Sequence, residues 1–343
     1  MLGAKYNGLK DVTLAEFEKP EVKPNTVLVK NLRAGICGTD LTGYLVDGPA
    51  VGIHPGNQFG HEMVGIIDEI GEGVVGVEKG TRVFVQPNFF RTCPEGWTQI
   101  MSCDMAGAFS QYVLVENPKM GYNLFEIPES VPLDFAALVE PLSVSMNGAL
   151  LAKGKPTDNA VIYGAGPIGL GVVASLQFLG VKNIIVADTL PLRLEAVEKM
   201  GAIACDVTKQ NVNDFAMEKW GTCIGNLGQV TNNVDIVIDC AGYPDSIKDF
   251  MDYAKIGAKM ICIAMGASAV PVSTYDIVLK DVSIISSCAY NDVTNNKVIE
   301  MLASGKDVSP IITDVYPLTD CSNAFAKAAD SKNSIKVVID HTK

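Results

Sequence analysis

Apolar positions along the chain fall into two rhythms. From residue 1 to about 142, short β-type runs at 26–32, 63–70, 82–86 and 111–115 are broken by Gly and Pro. That spacing predicts a compact β-rich domain with bulges and loops. From about residue 159, apolar strands alternate with amphipathic helices. The strands fall at 159–163, 183–187, 234–239, 259–263 and 282–286, with helices at 167–179, 192–200, about 211–219 and 246–254. Alternation of this kind predicts an α/β unit, a doubly wound parallel sheet covered on both faces. A last helix near 293–303 and a strand at 336–339 have no place in that unit and are expected to return to the first domain. The predicted division is 1–143 with 289–343 for the first domain and 144–288 for the second. Neither an internal repeat nor a low-complexity tract is present.

Composition narrows the class. A chain of 343 residues is too long for one small core and suits two domains. Its 48% hydrophobic content, with 32 Gly and 17 Pro, describes a turn-rich folded protein. The 27 basic and 39 acidic residues leave a net charge of −12, with no Lys/Arg run. Neither nucleic acid nor an anionic membrane surface is an expected partner. No basic segment followed by an apolar core opens the chain, and no apolar run approaches the roughly 18 residues of a membrane span. Nine Cys without an export signal read as reduced thiols, some of them candidate metal ligands, in a cytoplasmic protein.

The stretch Ala160-Val-Ile-Tyr-Gly164-Ala-Gly166-Pro167-Ile168-Gly169 reads as strand, tight turn and helix. Gly164 permits the turn, Gly166 lets a pyrophosphate approach the backbone, and Gly169 lets the helix lie close to the strand. Pro167 and Ile168 open the helix whose amides face the phosphates. Asp188 closes the next strand, where a carboxylate accepts from the adenosine ribose and repels a 2′-phosphate, so NAD is expected over NADP. Arg193, just beyond, is open to two readings: a contact to the adenosine end or a solvated helix residue.

Three clusters in the first domain share one chemistry: Gly35-Ile-Cys37-Gly-Thr39-Asp40, Gly60-His61-Glu62 and Val139-Glu140-Pro141. Thiolate, imidazole and carboxylate together suit tetrahedral zinc with one position open. The donors are scattered, and by residue types alone a lone Cys is more often core and a lone Glu more often a wet surface group. The clusters, with Val64-Gly-Ile-Ile-Asp-Glu-Ile-Gly71, Lys79-Gly80-Thr-Arg82 and the glycine turn, resemble the medium-chain zinc-dependent alcohol dehydrogenases in order and over nearly the whole chain. Glu62 and Glu140 make the chain similar to the sorbitol and butanediol (polyol) branch. That resemblance implies a GroES-like catalytic domain joined to a Rossmann domain, and transfer of a hydride between NAD and a secondary alcohol or polyol. It implies a catalytic zinc on Cys37, His61 and Glu62, with Glu140 either a fourth ligand or the partner of the metal-bound water. It makes Thr39 the hydroxyl that takes the alcohol proton and passes it through the nicotinamide ribose; the alternative is a Thr that caps a helix. A homodimer or homotetramer is expected, with the apolar strand at 282–286 as a sheet edge to be covered.

Departures from the family pattern carry information. The stretch 88–107 offers only Cys93 and Cys103, so a second, structural zinc is not expected. Thr42 stands where relatives often carry a relay His, which leaves the outer proton path to water or to His54. Tyr44, Phe59 and Phe109 suit either a pocket wall or the core. The segments 41–60 and 287–291 show no obvious Arg for a phosphate or carboxylate, which favours a neutral substrate. A metal-free reductase of quinones or enones and a non-catalytic dinucleotide binder are the rival readings.

Overall fold

Runs of Val, Leu and Ile bounded by Gly build the main sheet of each half of the molecule. The computed structural model describes the backbone of residues 1–92, 98–102, 107–266 and 268–343, and the side chains of 1–87, 107–266 and 268–343. The chain divides into two units, Met1–Glu140 with Leu302–Gly305 and Ile312–Lys343, and Pro141–Met301 with Lys306–Ile311.

The first unit is built on Thr26–Gly35, whose apolar residues are buried along most of its length. On one side it pairs antiparallel with Glu62–Ile70. On the other it pairs first with Tyr112–Glu116 and then, over Arg33 to Gly35, with Lys336–Asp340. The seven-stranded sheet continues to Arg82–Val85 and Leu124–Glu126 at one side and to Ile312–Pro317 at the other. Its register places Gly35 opposite both Glu62 and Val338. The residues just past Gly35, just before Glu62 and just before Val337 therefore meet at one end of the sheet. Behind them Phe59, Phe109 and Phe325 form a triangle with ring centroids 5.1, 5.4 and 5.3 Å apart, and Tyr44 stands 5.6 Å from Phe325. Such ring pairs add about 0.5–1.5 kcal/mol each beyond the area they bury. Tyr44, Phe59 and Phe109 are core residues.

In the second unit six parallel strands run in the order Ile203–Asp206, Asn183–Asp188, Asn159–Tyr163, Ile236–Asp239, Lys259–Cys262, Ser283–Ser286. Chain order reverses between Asn159–Tyr163 and Ile236–Asp239, which opens a crevice beyond their carboxyl ends. Helices Pro167–Phe178, Pro191–Lys199, Val212–Trp220 and Pro244–Tyr253 connect the strands. Beyond the unmarked hairpin of Thr222–Ile224 with Val230–Asn232 and helix Thr274–Lys280, two further features differ from the sequence reading. Strand Ile203–Asp206 escaped it because this edge strand buries only Cys205 fully and carries no apolar run. Helix Asp292–Ala303 was expected with the first domain, yet its residues up to Met301 cluster with the second unit. Periodicity marks an apolar face without saying which core that face covers. The strand Lys336–Asp340 does join the first sheet. No helix among the described residues is long and apolar enough to cross a membrane.

Candidate functional site

The chain turns sharply after Gly35, and helix Gly38–Leu45 begins with Cys37 as its N-cap. Asp40, in the first turn, closes a reciprocal box: its Oδ2 accepts the Cys37 N–H at 2.9 Å. Thr39 sits inside that turn, so the capping job belongs to Cys37 and not to Thr39. Cys37 Sγ lies 3.8 Å from Thr39 Oγ1. On the facing strand, Gly60 has φ +93°, and a Cβ there would come within 2.6 Å of the Phe109 ring. Glycine is needed to bring the chain round into His61 and Glu62. Gly35 is needed for a different reason, because Glu62 Oε2 occupies the space its Cβ would take.

Cys37, His61 and Glu62 thus offer ligand atoms that all lie within 4.8 Å of one another. His61 Nδ1 and Asp40 Oδ1 are buried without a hydrogen-bond partner and stand 3.9 Å apart. Burial opposes charge on His61, but Cys37, Asp40 and Glu140 together raise its pKa well above the ordinary value. Burial pushes the Asp40 carboxyl up to about 6, against the pull of His61. A proton on His61 is thus held by surrounding negative groups, the environment in which a bound cation replaces protons. The donor set and the orphaned imidazole nitrogen fit a zinc ion. Glu140, the last residue of the first unit, is buried in the first turn of helix Val139–Ala152 and acts on the charges of His61 and Lys336.

Lys336 is the residue that sequence reasoning missed. Its Nζ donates to both oxygens of Glu62, at 2.8 and 2.6 Å, and to the Ile36 carbonyl at 2.9 Å. Burial alone would discharge this lysine, but Glu62 first, then Cys37 and Glu140, hold its pKa above the usual range. A signal was present: Ile335-Lys336-Val337-Val338-Ile339 places a lone cation in an otherwise apolar run. A lysine is rarely buried without an anion to meet it. Thr42 Oγ1 donates to the Gly38 carbonyl at 3.0 Å, and His54 is exposed. Cys93 and Cys103, on which the expectation of no structural zinc rests, lie outside the described residues.

The second unit carries a cavity of about 990 Å³ at its topological switch, lined by Gly164, Gly166, Asp188 and Arg193 among others. Gly164 has φ +93°. A Cβ on Gly169 would run into the Gly164 carbonyl, so helix Pro167–Phe178 can lie this close only with glycine there. Gly166 caps that helix and Pro167 opens it, leaving first-turn amides for an anion. A Cβ on Gly166 would meet only Arg193, at 3.9 Å, so the space above it is open. Asp188 accepts from the backbone N–H groups of Ala165 (2.7 Å), Thr189 (2.7 Å) and Leu190 (2.9 Å). Arg193 Nη1 stands 3.8 Å from the same carboxylate. Ile168 contributes its carbonyl to Ser145.

Residues 23–129 match the alcohol dehydrogenase GroES-like domain and residues 167–304 the zinc-binding dehydrogenase domain. An L-threonine 3-dehydrogenase of Burkholderia mallei is 30% identical over 350 residues, covering 98% of each chain. The chain belongs to the medium-chain zinc-dependent alcohol dehydrogenases. Among solved structures, 2R,3R-butanediol dehydrogenase from Bacillus subtilis superposes with a TM-score of 0.84 at 26% identity over 99% of each chain. An alcohol dehydrogenase from E. coli CFT073 complexed with NADH does so with a TM-score of 0.84 at 28% identity, again over 99% of each chain. As a member of this dehydrogenase family the chain is an oxidoreductase that moves a hydride between an alcohol carbon and a nicotinamide dinucleotide.

Proposed function

We propose that the chain oxidises a neutral secondary alcohol or polyol with NAD, or reduces the matching ketone, using one zinc held by Cys37, His61 and Glu62. The observation that carries this reading is the convergence of thiol, imidazole and carboxylate atoms within 4.8 Å. Zinc bound there supplies a Lewis acid that eases loss of the alcohol proton. Thr39, two residues past Cys37, takes that proton at Oγ1, 3.8 Å from the sulfur. Glu140, buried beside the same charges, either completes the donor set or orients a water. Asp188 holds the glycine turn and presents negative charge where NADP would bring its 2′-phosphate. Hydride transfer itself is the chemistry of the cofactor.

The test is metal analysis followed by a reduction screen. Purified protein should hold one zinc per chain, lose turnover on chelation and regain it with added zinc. Secondary alcohols and polyols should reduce NAD faster than primary alcohols, with an amino alcohol as the second class to screen, given the threonine dehydrogenase relative. Two tightly held zincs would overturn the single-metal reading. Full activity after complete zinc removal would favour the metal-free reductase instead.

A further inference from the structure

Glu62 reaches the metal corner already engaged. Lys336 Nζ donates to both of its carboxylate oxygens and, with its remaining N–H, to the Ile36 carbonyl. The lysine side chain is 2% exposed and that of Glu62 is 1% exposed, so both charges are out of bulk water. The same stretch of chain fixes the other side of the Ile36 peptide, because the Ile36 N–H donates to the Val337 carbonyl at 3.0 Å. Lys336 therefore does two things. It steadies the peptide that leads into Cys37, and it neutralises the carboxylate expected to serve as a cation donor.

We infer that Lys336 is a positioning residue whose charge weakens the metal site, competing with the cation for Glu62 and so setting how tightly zinc is held. The inference rests on the reading of Cys37, His61 and Glu62 as zinc donors. Two physical effects run in opposite directions. An ammonium one carboxylate away from a divalent cation repels it and withdraws donor strength from the oxygens they share. Orientation of a ligand by its outer partner favours binding, and losing such a partner typically weakens metal affinity about 10–100-fold. Here the first effect dominates. Glu62 is also fixed from the other side, wedged against Gly35 where no Cβ could fit, so its orientation does not depend on the lysine alone. Removing the ammonium leaves a buried, uncompensated carboxylate that only a cation can satisfy.

The experiment measures zinc affinity by competition with a chromogenic chelator, alongside melting of the apo and zinc-loaded full chain. Lys336→Met should tighten zinc roughly 10-fold or more, the reverse of the usual outer-partner effect. It should also lower the apo melting temperature and widen the gap between apo and loaded forms. Lys336→Gln, which keeps a donor for Ile36 but no charge, should tighten zinc in the same direction and guards against a Met variant that does not fold. Lys336→Arg, which keeps the charge, should stay close to wild type. In Lys336→Met with Glu62→Gln the gain should vanish. Unchanged or weaker zinc binding in both Lys336→Met and Lys336→Gln overturns the inference. Cys37→Ala separates that failure from failure of the underlying reading, since it should abolish tight zinc binding whatever Lys336 does.

Discussion

At the carboxyl ends of the parallel strands, Asp188 and Asp239 lie buried among backbone amides; at the end of the other sheet, Glu62 lies buried against a side-chain ammonium. Asp239 accepts from the N–H groups of Ala241 and Gly242, both at 2.9 Å, and from the Ser246 hydroxyl. Asp188 is held the same way by Ala165, Thr189 and Leu190. The amides of Thr189, Leu190, Ala241 and Gly242 come with the turn that follows each aspartate, and that of Ala165 comes from the glycine turn of the neighbouring strand. Glu62 depends on a residue 274 positions away, and Asp40, beside it, keeps one oxygen without a partner. The dinucleotide cleft is thus a property of its turns. The corner of Cys37, His61 and Glu62 is a balance of buried charges, and a balance of that kind responds to single substitutions and to pH.

The largest expected effect is at the corner of Cys37, His61 and Glu62. Thr39→Val preserves shape and removes the hydroxyl 3.8 Å from Cys37 Sγ. Turnover at neutral pH should fall roughly 10²-fold or more, the scale of a positioned proton transfer. Zinc content and dinucleotide affinity should be retained, since Thr39 neither caps the helix nor supports the second unit. Wild-type turnover with zinc in place would assign the proton path to another group.

The amide-held side of the comparison is sharpened by Asp188. Asp188→Ala removes a repulsive charge and should shift the ratio of NAD to NADP specificity constants by about 10-fold or more toward NADP. It also deprives three backbone amides of their acceptor, so affinity for both dinucleotides should drop. Asp188→Asn keeps an acceptor for those amides. It should shift the ratio by a similar factor while losing less NAD affinity. If the two variants bind NAD equally well, the hydrogen bonds to Ala165, Thr189 and Leu190 do not hold the site together.

Legibility in the sequence divides along the same line. The glycine turn was legible because each glycine answers a local demand: the positive φ of Gly164, the helix pressed against Gly164 by Gly169, the open space above Gly166. The inner strands between 159 and 263 were legible because burial on both faces leaves apolar runs; of the two edge strands, Ser283–Ser286 was legible through its paired isoleucines, and Ile203–Asp206, which carries no apolar run, was not. Cys37, His61 and Glu62 were named through resemblance, and their scatter along the chain hid that they meet. Lys336 went unassigned because its partner is chosen by strand register, Val338 opposite Gly35 opposite Glu62, and register is a tertiary fact. The ring triangle of Phe59, Phe109 and Phe325 was half visible, since Phe325 comes from a helix, Cys321–Ala329, that the apolar pattern had not marked.

The smallest expected effect tests whether the first unit is the more pH-sensitive of the two. His341 packs near the Ala108 carbonyl, with Asp340 and Arg33 as its charged neighbours. Burial, helped by Arg33, lowers its pKa to about 4, although Ala108 and Asp340 pull the other way. Between about 4 and the ordinary 6.5 the unfolded chain binds a proton that the folded chain refuses, so stability is complete above 6.5 and is lost as pH falls toward 4. One such group contributes a slope of at most about 1.4 kcal/mol per pH unit inside that window. His341→Gln carries no charge at any pH in the range and should flatten the slope by up to that amount, with little change at pH about 7, where the imidazole is already neutral. Local stability is the quantity to follow, by hydrogen exchange of peptides spanning 336–343 and, as reference, 183–190, at pH about 7 and about 5. In the wild type the first peptide should lose protection on acidification relative to the second, after correction for intrinsic exchange rates. In the variant that difference should shrink. Equal losses in wild type and variant would place the acid sensitivity of the first unit elsewhere, with the carboxylates around Arg33 next to examine.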